Sequence, residues 1–289
     1  MATLVLPAPA KLNLFLHITG RRENGYHDLQ TVFQFLDLHD VLSFTRTDNP
    51  NIELLCSAPE LANDDNLVVR AARLLQQHSS VTQGARIVLE KRLPYGGGLG
   101  GGSSDAATTL LALNHLWQVH LSIEILMQLG AQLGADVPIF IFGHAAFAEG
   151  IGEKLTAIDP PQPWYLVVDP GVHISTAKLF NHPQLERQCE PIASSDWQLH
   201  NTYNVFEPLV REAYPEVANA YNWLVEYAPI RLTGTGACLF GAFESQEEAR
   251  AVLARMPSRW NGFVARGLNE SPVCQLLRQA STDNLTKQD

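Results

Sequence analysis

The stretch PYGGGLGGGSSDAA, Pro94–Ala107, decides how this chain is read. Six glycines fill seven positions, and two serines and an aspartate then lead into an apolar run. Glycine costs chain entropy on ordering and is poor inside helices and strands. The segment is therefore a loop whose backbone must approach something closely, and it opens a helix over about Ser104–Trp117. A helix N-terminus carries exposed N–H groups and roughly half a positive charge, so a glycine loop there is an anion cradle. Ser103, Ser104 and Asp105 are candidate caps for that helix, and the serine hydroxyls can also meet phosphate oxygens. Gly96, Gly98 and Gly101 satisfy G-x-G-x-x-G, but the dinucleotide reading fails. The strand before the loop, Ala85–Leu93, is amphipathic, and the segment about twenty residues on is helical rather than a strand end bearing a ribose-binding acid. A Walker A loop fails too, because no lysine follows the glycines before Ser103.

Outward from the loop, Lys11–Ile18 alternates as KLNLFLHI, which predicts a half-buried strand with Leu12, Leu14, Leu16 and Ile18 on one face. Asn24-Gly25 marks a turn, and Gln30–Asp37 and Asp40–Thr45 predict further strands. Asp65-Asn66 precedes an amphipathic helix, and Ser122 caps another that ends near Gly134. Val137–Phe142 and Ala145–Glu149 predict short strands. Beyond the prolines at 160, 161 and 163, the pattern predicts strands at Trp164–Val168 and Gly262–Gly267. It also predicts a strand over Arg231–Phe240 interrupted by Thr-Gly-Thr-Gly, and helices at Glu207–Tyr214, Glu216–Glu226 and Gln246–Arg255. His182–His200 is polar and irregular. Strands and helices mix without a steady βαβ alternation, which predicts an α+β fold. The prolines divide the chain into residues 1–160 and 161–280, with a frayed tail at 281–289.

With 289 residues and 46% hydrophobic composition, the chain is long enough for one large or two ordinary domains. Its formal net charge of −10 argues against a broad nucleic-acid surface, yet a few cations and backbone amides can still hold a small anion. Cys56, Cys189, Cys238 and Cys274 are too scattered for a zinc or redox motif, and they fit reduced thiols. The apolar start lacks a basic n-region and is broken by Lys11, so no signal peptide is expected. No stretch is long enough to span a membrane, and a cytoplasmic location follows as the default.

Two further stretches narrow the reading. PAKLNL, Pro9–Leu14, lies near the start, and LTGTGAC, Leu232–Cys238, lies near the end. With the glycine loop between them, they resemble the three ordered motifs of the GHMP kinases. The Gly25-Tyr26-His27 turn and LGADVP, Leu133–Pro138, extend the likeness from residue 9 to about 270. The resemblance implies a two-domain α+β kinase with its active site in the cleft between an ATP-binding N-terminal domain and a C-terminal domain that contributes to the substrate site. ATP would be the co-substrate, accompanied by Mg2+. Pro94, Tyr95, Gly96, Gly97 and Gly98 would wrap its phosphates together with Leu99, Gly100, Gly101 and Gly102. Ser103 and Ser104 would complete the loop, and Asn66 and Lys91 would lie near the adenine.

The resemblance further implies a small cytidine diphosphate-linked acceptor, with no nucleic-acid or membrane partner, and a monomer or weak homodimer. Tyr26, His27 and Phe180 would hold the cytosine, with Asn13 and Thr176 completing the substrate site. Lys11 and Asp136 would act on the acceptor hydroxyl, a tertiary alcohol. So weak an acid is not deprotonated early, so Asp136 would orient the hydroxyl and take its proton late while Lys11 offsets developing charge. Ser104 and Asp136 are candidate neighbours of the magnesium, whose ligands stay unassigned because no two-carboxylate set is evident. The Thr233–Gly236 loop would buttress the glycine loop or approach the phosphates. A homoserine or mevalonate-type acceptor is the alternative within the family, and Tyr26-His27 argues against it. A silent nucleotide-binding regulator would have no need of Lys11 and Asp136.

Overall fold

The computed structural model describes residues 3–285, with side chains through residue 279. The chain begins with two long antiparallel strands, β1 (Thr3–Arg21) and β2 (His27–Thr47), paired from Thr3↔Thr45 to Arg21↔His27. Strand β3 (Ile52–Cys56), helix α1 (Leu67–Ser79) and strand β4 (Gly84–Glu90) follow, and the glycine loop leads into α2 (Gly101–Leu116). Then come α3 (Ile123–Leu133), α4 (Val137–Phe142), β5 (Ala146–Glu149) and β6 (Lys154–Ala157). The second half comprises β7 (Trp164–Asp169), α5 (Thr176–Phe180), α6 (Glu207–Ala213), α7 (Pro215–Leu224), β8 (Ile230–Leu232) and β9 (Leu239–Phe243). It ends with α8 (Gln246–Leu253), β10 (Asn261–Leu268) and α9 (Pro272–Leu285). The sheet runs β3-β4-β2-β10-β7-β9-β8, with β1 and β5 also on β2 and β6 on β5. Strand β10 joins the halves: Asn261–Arg266 pairs with β7, and Gly267 and Leu268 reach Leu36 and Phe35 of β2.

Strand β1 threads three apolar clusters. Leu6 and Ala8 belong to the cluster beneath α1–α4, Ala10, Leu12, Leu14 and Phe15 to a central one shared with β7 and β9, and Leu16 and Ile18 to the one beneath α6 and α7. The expectation of a half-buried strand is thereby corrected. Lys11, Asn13 and His17 are at most 5% exposed, like the leucines on the other face. Register shifts between Pro9 and Lys11, Asn13 and Leu16, and Ile18 and Gly20 break the simple two-residue period. Helix α2 is buried along Ser104–Leu113, which is why its sequence shows no polar face.

Residues 137–142 form a helix, not the expected strand. The continuous apolar run VPIFIF fits either state by periodicity. Pro138 in the first turn suits a helix start, and Gly143 ends it in the left-handed region at φ 75°. The expected serine and aspartate caps of α2 are also corrected: Gly100 stands at the cap position with φ 74°, and no side chain caps the helix. Strand β4 stops at Glu90, so Lys91–Leu93 already belong to the approach to the loop. Arg231–Phe240 resolves into the antiparallel pair β8 and β9 around the Thr-Gly-Thr-Gly turn. Helix α9 packs on β1 and α2 and runs to Leu285, into the stretch expected to fray; residues 286–289 lie outside the described residues.

Candidate active site

Two cavities meet at the glycine loop. The larger, about 760 Å³, contains Lys11, Asn13 and Asp136 together with Tyr26, His27, Thr176 and Phe180. The smaller, about 400 Å³, is walled by the whole run Pro94–Ser103, with Asn66 and Lys91 behind it. Gly96, Gly98 and Ser103 line both, so the loop is a shared wall. Of the site residues expected from sequence, only Ser104 lines neither cavity. Its hydroxyl is buried in the first turn of α2 with no partner among the described residues.

Lys11 lines the larger cavity and reaches the shared wall at Gly98. It is 2% exposed, and its Nζ donates to Asn13 Oδ1 at 2.6 Å and to the Gly98 carbonyl at 3.0 Å. Asp136 Oδ2 lies 3.3 Å from the same nitrogen. The backbone N–H of Lys11 donates to the Leu99 carbonyl at 2.9 Å, so the strand also grips the loop through its main chain. Asn13 is fixed in turn, its Nδ2 donating to Thr31 Oγ1 at 3.0 Å and its N–H to Thr233 Oγ1 at 3.0 Å. Asp136 occupies the cap position of α4 but makes no cap bond, which leaves its half-exposed carboxylate turned to Lys11.

The Thr233–Gly236 turn buttresses the loop. Thr233 Oγ1 donates to the Gly98 carbonyl at 3.3 Å, and the Cys238 N–H to the Gly97 carbonyl at 3.1 Å. Gly98 has φ 80°, and a Cβ there would lie 2.2 Å from the Thr233 carbonyl oxygen, so only glycine fits.

Lys91 is engaged from below. Its ammonium pairs with Asp40 and, at 2.8 Å, with Asp105 Oδ2, all three side chains being at most 5% exposed. Asp40 Oδ1 accepts the N–H groups of Arg92 and Leu93 at 2.5 and 2.8 Å. One carboxylate thus ties the approach to the loop, and the shared ammonium ties the exit at α2. Burial alone would pull Lys91 below its ordinary value, but Asp105 and Asp40 together push it up. Burial, aided by the Asp40 charge, raises Asp105 to about 7 against the pull of Lys91. Asn66 caps α1, accepting from Val68 N–H at 2.9 Å and donating to the Leu61 carbonyl at 2.8 Å.

At the far end of the larger cavity Tyr26 is 60% exposed on the hairpin turn. His27 is 7% exposed, with its ring 5.2 Å from that of Phe180. Thr176 Oγ1 shares a 2.9 Å hydrogen bond with Thr235 Oγ1. Sequence reasoning missed Asp40, Thr31 and Arg187, which support Lys91, Asn13 and His27 from distant segments. Only Thr233 among such supports lay in a quoted motif.

Comparison with known proteins identifies the family. The family "GHMP kinases N terminal domain" matches residues 66–144, and "GHMP kinases C terminal" matches residues 178–262. The 4-diphosphocytidyl-2-C-methyl-D-erythritol kinase of Shewanella loihica is 53% identical over 274 residues, covering 94% of this chain and 96% of the relative. The enzyme of the same name from Shewanella piezotolerans is 54% identical with the same coverage. Among solved structures, a 4-(cytidine 5'-diphospho)-2C-methyl-D-erythritol kinase superimposes with a TM-score of 0.81 at 30% identity, over 91% of this chain and 99% of that one. A mevalonate kinase superimposes with a TM-score of 0.69 at 16% identity over 92% and 100%, a likeness of fold.

Proposed function

The chain belongs to the GHMP kinases, and from that premise we propose that its cleft transfers the γ-phosphate of ATP to the 2-hydroxyl of 4-diphosphocytidyl-2-C-methyl-D-erythritol, giving the 2-phosphate and ADP. The fold is the family's two-domain α+β arrangement. The reaction is a step of non-mevalonate isoprenoid precursor synthesis. The observation that carries the reading is Lys11 Nζ, which lines the larger cavity beside the Asp136 carboxylate and donates to Gly98 of the wall that cavity shares with the smaller one. A phosphate donor on one side and an alcohol on the other would meet there.

The glycine loop holds the ATP phosphates with backbone N–H groups and the N-terminus of α2, which explains how the donor is bound without a Walker lysine. The loop's position is set by Lys11, Thr233 and the Asp40–Lys91–Asp105 group. Phosphoryl transfer passes through a loose transition state, so positioning and charge neutralisation supply most of the catalysis. Asp136 orients the tertiary hydroxyl and accepts its proton as the P–O bond forms. Lys11 stays beside it and offsets the negative charge that develops between donor and acceptor. His27 and Phe180 hold the cytosine with Tyr26 above the turn, and Asn13 and Thr176 line the path between base and hydroxyl.

The residues fit magnesium. Ser103 on the shared wall and the Asp136 carboxylate are hard oxygen donors on the larger cavity, and phosphates and water would supply the remaining ligands; the Ser104 hydroxyl, fully buried and lining neither cavity, does not face it. The ion would neutralise phosphate charge. The test is the position of the new phosphate. Phosphorus NMR and mass spectrometry of the product should show one added phosphoryl group on the tertiary carbon's oxygen. A phosphate on a primary or secondary hydroxyl, or none, would contradict the reading.

A further inference from the structure

Arg187 lies in the irregular stretch after α5, which no motif covers, and it joins the two side chains placed at the nucleobase. Its Nε–H donates to His27 Nε2 at 3.2 Å. Its Nη2 donates to the carbonyls of Phe180 at 3.0 Å and His182 at 2.8 Å, and its Nη1 to the Leu185 carbonyl at 3.1 Å. The guanidinium is therefore held in one orientation by the very loop that carries Phe180. A guanidinium has donors only and stays charged. His27 Nε2 must then be the acceptor, and the proton of the neutral ring sits on Nδ1.

His27 lines the larger cavity, and its Nδ1 has no partner among the described residues. The charged groups acting on the ring are both cations, Arg187 and Arg21. Asp28, next in sequence, is engaged by Arg22 at 2.6 Å, and His182 turns its own Nδ1 to the Gln184 N–H at 3.3 Å. Burial, then Arg187 and Arg21, hold His27 below the ordinary histidine value, which favours the neutral ring.

We propose that Arg187 is the positioning residue of the nucleobase site: by occupying Nε2 it fixes His27 as an Nδ1–H donor, which selects a base with an acceptor at that edge. The inference rests on the acceptor reading above. The unprotonated ring nitrogen of cytosine meets such a donor. The corresponding N–H of uracil would face it donor to donor, and the imidazole cannot exchange roles without breaking its bond to Arg187.

The test measures KM for the cytidine-linked acceptor from pH 6 to 8.5 in the wild type and in Arg187→Met. The wild type should show a flat KM. In the variant it should rise a few-fold at pH 8, because the neutral ring, freed of Arg187, also populates the Nε2–H tautomer and the base must select the other. It should recover towards pH 6, where the freed imidazole takes a proton and both nitrogens become donors. The KM for ATP and kcat should stay within a few-fold, and Arg187→Lys should fall between. A KM raised equally at every pH, or one unchanged, would overturn the proposal. Long-range 1H–15N spectra of the wild-type protein, assigned with His27→Gln, need neither substrate nor a folded Arg187 variant. A proton on His27 Nδ1 supports the proposal, and one on Nε2 overturns it. Absence of any wild-type turnover with this acceptor would contradict the acceptor reading instead, and the spectra would still decide the tautomer.

Discussion

A buried lysine is tolerable when its ammonium is paired and hydrogen-bonded, and the two lysines of this site meet that need differently. Lys11 faces Asn13, the Gly98 carbonyl and Asp136, so its charge stays at the larger cavity. Lys91 lies between Asp40 and Asp105, and its charge is neutralised within the protein. Two carboxyls around one ammonium leave one of them protonated to about neutral pH, and the raised Asp105 is that group. A carboxyl with a raised folded value binds more protons folded than unfolded between about pH 4 and 7, so its contribution to stability falls as pH rises through that window. Asp105→Asn should remove this fall. Melting temperatures of wild type and variant, compared from pH 4.5 to 7.5, should show the wild type losing ground to the variant as pH rises. Parallel curves would show that Asp105 does not hold the proton. The sequence singled out Lys11 in PAKLNL and Asp136 in LGADVP, and the structure brings the two side chains together in the larger cavity. Asp40 was not singled out, since nothing local in VFQFLDLHDVLSF distinguishes a carboxylate that meets Lys91 across 51 positions.

Among the elements, the glycine loop was legible and its supports were not. Its composition announced close backbone approach, but the structure adds what it approaches: the Thr233 turn on one side and Lys11 on the other. At Gly98 an added Cβ meets a backbone oxygen in a left-handed conformation, a strain of about 1–3 kcal/mol. Gly98→Ala should therefore raise KM for ATP about ten-fold or more while lowering the melting temperature by a few degrees, read by steady-state kinetics and thermal melts. Unchanged ATP affinity would remove the loop from the phosphate site. Helix α4 shows the opposite kind of failure. VPIFIF is apolar throughout and too short for periodicity to discriminate, and the local punctuation by Pro138 and Gly143 decides it for the helix. Strand β1 was found but misjudged, because it runs through three apolar clusters that bury both its faces, and alternation records only one.

Across the whole molecule, the cleft exists because β1 runs through all three apolar clusters and delivers Lys11 and Asn13 to the point where they meet. The return of β10 to β2 and the packing of α9 on β1 lock the second half against the first, a closure that no local pattern encodes. In the proposed function, two cavities sharing a glycine wall, with an ammonium and a carboxylate on the larger cavity's side of it, would pass a phosphoryl group from one side to the other. ADP release by the wild type and by Asp136→Asn, with and without 4-diphosphocytidyl-2-C-methyl-D-erythritol, tests that claim most directly. The wild type should release ADP only when the acceptor is present. The variant should lose about a hundred- to ten-thousand-fold in kcat with KM values within a few-fold, as expected for a lost proton acceptor. Acceptor-independent ADP release, or near-normal turnover by the variant, would contradict the account.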